Sequence, residues 1–144
     1  MRQLRANRIA FLAALTAAAI AAGCGGGGDD VNNNADDYDG TEGEVAGLVD
    51  DFANAGRDGD GAKICDDIFS KELAANVEKQ AGQSCASEVE DNLPADKYEL
   101  EIDSLELKGD TATVAVTDQD DNSSVLHIQK IDDVWRIASV TPAP

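Results

Sequence analysis

The chain has 144 residues, with 11 Lys+Arg against 29 Asp+Glu and a net charge of −18. Nucleic-acid phosphates and anionic lipid headgroups repel a chain this acidic, so nucleic acid is excluded as a partner. The length suits one domain with a single modest core.

The start of the chain differs from the rest. Arg2, Arg5 and Arg8 make it basic, and Ile9 to Ala22 is an uncharged apolar run of 14 residues. A bilayer span needs roughly 20 such residues, so a cleaved leader is expected over a retained transmembrane anchor. Ala21-Ala22-Gly23-Cys24 follows, small residues leading into one cysteine. This stretch resembles the lipobox of bacterial lipoproteins. The resemblance implies a signal peptide over residues 1–23, a diacylglycerol on the Cys24 sulfur and an acylated new amine. It also implies a location: the extracytoplasmic side of the cell membrane, held by lipid. An ordinary signal peptide, with Cys24 incidental, is the competing reading. Without residues 1–23 the chain keeps eight cations and all 29 acids, a net of −21. The acyl chains would then hold it without help from a basic patch, and two or more suffice.

Residues 24–41 are rich in Gly, Asp and Asn, with one valine and one tyrosine. Such a stretch buries too little apolar surface to offset the entropy of ordering, so a disordered tether is expected. About 17 flexible residues give a typical reach of roughly 20–25 Å.

A single domain is expected over residues 42–141. Thr41-Glu42-Gly43-Glu44 has the form of a capping box. Val45, Leu48, Val49, Phe52 and Ala53 then recur at helical spacing, with Glu44, Asp50, Asp51 and Asn54 elsewhere on the wheel. Gly56 and Gly59 stop this helix. Asp60 can cap a second, with Ala62, Cys65, Ile68, Phe69 and Leu73 as its stripe, and Ser70 is placed to restart it. Gly82 ends that run. Ser84 caps a third helix, carrying Cys85, Val89 and Leu93 up to Pro94.

The period then switches to two. Tyr98, Leu100 and Ile102 alternate with acids, and Leu105 and Leu107 continue on the other parity, so a β-bulge or bend lies across Asp103-Ser104. Lys108-Gly109-Asp110 turns into a second strand, where Ala112, Val114 and Val116 share a face. A polar loop, 118–123, leads to a third strand, 125–131. Asp132-Asp133 turns into a fourth, with Trp135 and Ile137 on one side. Three helices followed by a four-stranded antiparallel meander make an α+β domain.

This order of elements resembles the nuclear transport factor 2-like, or cystatin-like, domains. The resemblance rests on Val45 to Phe52, Cys65 with Cys85, Lys108 to Val114, and Val134-Trp135-Arg136-Ile137. It implies three N-terminal helices packed on a curved four-stranded sheet, often as a cone enclosing a cavity. It implies no activity, since that fold hosts enzymes, ligand binders and inert adaptors.

With Cys24 assigned to lipid, Cys65 and Cys85 remain as an even pair on apolar helical faces of an exported domain. A disulfide between them is expected, with two buried thiols as the alternative. Cavity enzymes of the ketosteroid isomerase and polyketide cyclase type place an acid or base in the cone. The candidates here are His127, mid-strand, and Asp103 at the bulge. A lone histidine there more often sits on a solvated face, and a carboxylate at a bend is usually solvated. Ser123 and Ser124 have no nucleophile setting. One histidine gives no zinc spacing. Neither Asp58-Asp60-Glu72 nor Asp118-Asp120-Asn122 completes a calcium loop. The expected protein is therefore a non-enzymatic binding or interaction domain with no metal and no cofactor. Its partners are the membrane, through the lipid, and an extracytoplasmic protein or small ligand. A small cavity enzyme and a purely structural lipoprotein domain are the alternatives.

Overall fold

The computed structural model describes residues 34–94 and 96–144. The leader, Cys24 and the tether as far as residue 33 lie outside them.

Helix α1, Gly40–Asp58, forms where the apolar stripe demands it. Val45, Val49, Phe52 and Ala53 are buried on its inward face. Its start differs from expectation. Asp39, not Thr41, is the N-cap, and Thr41 lies inside the helix. The reason is a short 3-10 turn, Asn34–Asp37, that packs back on α1 and brings the chain in one step earlier. Gly43 makes room for it: a Cβ there would stand 2.9 Å from the Tyr38 carbonyl oxygen. Residues 34–37 and 40–41, which the sequence put with the tether, are therefore in regular structure. At the other end Gly56 stays inside the helix, buried, and only Gly59 terminates it, at φ 67°.

Asp60 accepts the Lys63 N–H and starts the helical turn α2, Gly61–Lys63. This runs into a π turn, Ile64–Ile68, closed by Phe69 N–H on the Ile64 carbonyl at 2.7 Å. The wider turn buries Ile64, Cys65 and Ile68 together and leaves Ala62 exposed, contrary to the expected stripe. Ser70 caps α3, Lys71–Ala81, through the Leu73 N–H. Ser84 caps α4, Cys85–Asn92, through the Ser87 N–H. The expected second helix is thus broken at Phe69-Ser70, giving four helices where three were expected. The disulfide is present: Cys65 on the π turn bonds Cys85, the first residue of α4. Beside it a Cβ on Gly61 would meet the Ala86 carbonyl oxygen at 2.4 Å, so only glycine lets α2 and α4 approach this closely.

Strands β1, Leu100–Lys108, β2, Thr111–Asp118, β3, Ser123–Ile131, and β4, Val134–Pro142, pair in sequence order, all antiparallel. Ile102 faces Val116 and Ser104 faces Ala115, so Asp103 is the extra residue of the expected bulge. A second bulge was not anticipated: His127 pairs Ser139 and Ile128 pairs Ile137, leaving Ala138 extra. Asp132 and Asp133 both take positive φ in the two-residue turn between β3 and β4. One face of the sheet carries Val114, Val116, Leu126, Ile128, Trp135 and Ile137, all buried under the helices. The Trp135 indole N–H donates to the Glu44 carboxylate at 3.1 Å.

Both sheet edges are covered at one point. The Ser70 N–H donates to the Ile137 carbonyl on the β4 side. On the β1 side the Asn34 side chain accepts the Ile102 N–H and donates to the Leu100 carbonyl. Such cover limits edge-to-edge pairing.

Candidate functional site

The helices do not close fully over the sheet. Helix α3 has no buried residue. Its Leu73 and Val77, one turn apart, face an open groove rather than a sealed core. Phe52 of α1, Phe69 after the π turn, and Val89 and Leu93 at α4 complete the apolar wall, with Val140 of β4 as part of the floor. The volume is about 410 Å³. Phe52 holds the inner end rigid: its ring lies 5.7 Å from both Phe69 and Tyr98, edge-on to the latter.

The groove's polar side chains are Gln80, Glu88 and Asn92. Both Glu88 oxygens already accept amide N–H groups, from Gln83 at 2.8 Å and Asn92 at 2.9 Å. Gln83 also reaches Asp91, at 3.3 Å. The rim is therefore an amide and carboxylate network with neither a base nor a nucleophile standing free in it.

The sequence-derived catalytic candidates lie elsewhere. His127 is exposed between Leu126 and Ile128, which are buried under the helices, so it points from the opposite, open face of the sheet. It stands there beside Thr113 and Ser139. Asp103 is also exposed and accepts the Thr117 hydroxyl at 2.7 Å, on that same open face. Neither shares a surface with the groove. The Asp118 carboxylate is held by local hydrogen bonds: it accepts the backbone N–H groups of Asp120 and Asn122 and the Asn122 side chain. What desolvation it feels opposes ionisation, but those donors outweigh it and keep the carboxyl below its usual range. Tyr98 is pushed up to about 12, by burial first and then by the Asp118 charge, so its hydroxyl stays protonated. Among the described residues no three His, Cys, Asp or Glu side chains are grouped to hold a metal ion.

Two features escaped the sequence reading. One is the position and lining of the groove, since the resemblance implied only that a cavity is common. The other is Asp50, expected off the apolar stripe of α1 and found buried. Its carboxylate accepts the Asn34 N–H at 3.1 Å, the Asn34 amide at 2.8 Å and the Ala35 N–H at 2.9 Å. The spacing held a sign of it, since Ala46 and Ala53, at i−4 and i+3, are small and buried.

No protein-family model matches this chain, and no curated protein does. Among solved structures the chain is similar to a crystal structure of an NTF-2-like protein of unknown function from Silicibacter pomeroyi. The two are 19% identical with a TM-score of 0.49, over 67% of this chain and 89% of that one.

Proposed function

We propose that this chain is a non-enzymatic binding domain, exported and held by a lipid on Cys24 at the outer face of the cytoplasmic membrane. The groove between α3, α4 and β4 is its ligand site. One observation carries the reading: the division of side chains between the two faces of the sheet. The groove offers hydrocarbon walls with three polar groups at the rim, a composition that binds small molecules. His127 and Asp103, the sequence's candidates for proton transfer, stand on the other face, and Glu88, the one carboxylate lining the groove, already accepts an amide N–H on each oxygen. Support for the anchor comes from the Ala21-Ala22-Gly23-Cys24 stretch and the short apolar run before it.

The test has two arms. Cys24→Ser should release the domain from host membranes or leave its leader uncut. His127→Ala and Asp103→Asn should leave host function intact, whereas Val77→Asp, which puts a charge on the groove wall, should abolish it with the fold retained. Loss of function in either of the first two folded variants would turn the reading to an enzyme. Membrane fractionation of the Cys24 variant equal to that of the parent would remove the lipid anchor.

A further inference from the structure

We infer that the groove selects a single-chain amphiphile with a neutral or cationic head and rejects the anionic equivalent, such as a free fatty acid. This rests on the binding reading above and names its ligand class. Three observations lead to it. The walls are hydrocarbon and aromatic, lined by Leu73, Val77 and Val89 together with Phe52 and Phe69, so the buried part of a ligand is apolar. The volume, about 410 Å³, lies near the lower end of the roughly 300–1,000 Å³ typical of ligand pockets, which suits one chain rather than two.

The third observation is the charge at the rim. Glu88 lines the groove, and no lysine, arginine or histidine does. The amides of Gln83 and Asn92 hold the Glu88 carboxylate in place, and Gln83 ties it to a second carboxylate, Asp91. A ligand carboxylate at this rim would meet like charge at close range, with no cation among the lining residues to compensate. The chain's net charge of −18 adds to that repulsion at longer range. A neutral head meets the Gln80 amide and the Asn92 amide oxygen, the Asn92 NH₂ being given to Glu88, and a cationic head gains from Glu88 as well.

The experiment uses the purified full chain and three probes with the same dodecyl chain: dodecyl maltoside, dodecyltrimethylammonium and dodecanoate. Each is added below its micelle concentration, at neutral pH and low salt, while methyl NMR follows Leu73, Val77 and Val89. The maltoside and the ammonium should shift these methyls, and dodecanoate should bind at least about tenfold more weakly. Tetramethylammonium, a head without a chain, should leave the methyls unmoved. Glu88→Gln should narrow the gap between maltoside and dodecanoate. Gln80→Glu, a change at an exposed position, should widen it and serves if the first variant misfolds. Dodecanoate binding as tightly as the maltoside would overturn the charge selection while leaving the groove a binding site. No methyl shift with any dodecyl probe would overturn the binding reading together with it.

Discussion

Asp50 anchors the N-terminal end of the domain. It is 7% exposed, and three N–H donors from residues 34 and 35 converge on its two oxygens. Asn34, held by it, then uses its own amide to cover the β1 edge at Leu100 and Ile102. One carboxylate therefore ties the incoming chain to both α1 and the sheet. An asparagine at position 50 keeps one acceptor oxygen and turns an NH₂ toward half-buried N–H donors, leaving at least one of them without its partner. Asp50→Asn should therefore cost about 1–3 kcal/mol of stability, read from the denaturant midpoint. Amide exchange should quicken at Ala35 and Ile102 and stay slow at Val114 in the core. Unchanged exchange at Ile102 would mean that Asn34 is not held through Asp50. Sequence periodicity put Asp50 with the polar residues because a carboxylate on the flank of a stripe reads as solvated. The small Ala46 and Ala53 beside it hint at burial, but its partner stands 16 residues away and no local pattern names it.

At the scale of elements, the strands were legible and the groove was not. Alternation over Ala112, Val114 and Val116 marks an inward face directly, and the step of three from Ile102 to Leu105 marks the Asp103 bulge. The same step of three separates Ile137 from Val140 and corresponds to the Ala138 bulge, so that signal was present and unread. The groove differs in kind. Leu73 and Val77 form the same apolar stripe whether α3 lies flat on the sheet or stands off it, and tertiary packing decides which. That packing includes the bridge between Cys65 and Cys85, 20 residues apart. Helix α4 has only eight residues, too few to persist unaided. The disulfide fixes its first residue to the π turn, and Val89 and Leu93 of the groove wall follow from there. Closing a loop of this length stabilises by about 3 kcal/mol in the chain-entropy model. Reductant, or the double change Cys65→Ala with Cys85→Ala, should lower the unfolding free energy by about that amount and weaken probe binding at Val89. An unfolding midpoint indifferent to reductant would show that packing alone holds α4.

The whole molecule carries a large excess of acids. Eleven cations face 29 acids, and among the described residues a single ion pair is found, Lys108 with Glu106 at 3.7 Å, exposed on both sides. Exposed pairs of that kind contribute little. The acids are also unevenly placed. Strands β2, β3 and β4 hold one between them, Asp118, at the end of β2, so the helices, the turns and β1 carry most of the rest. Folding brings these carboxylates closer together than they stand in the unfolded chain, so mutual repulsion opposes the compact state. Salt weakens repulsion of this kind, because the screening length falls from about 30 Å at 0.01 M to about 8 Å at 0.15 M. The thermal midpoint should therefore rise between those two sodium chloride concentrations and rise little beyond them. The same addition should shrink the gap between maltoside and dodecanoate binding, since both effects have one source in the acid-rich rim and surface. A midpoint that falls as salt is added would mean that attractive pairs govern this fold, and the long-range part of the charge selection at the groove would fall with it.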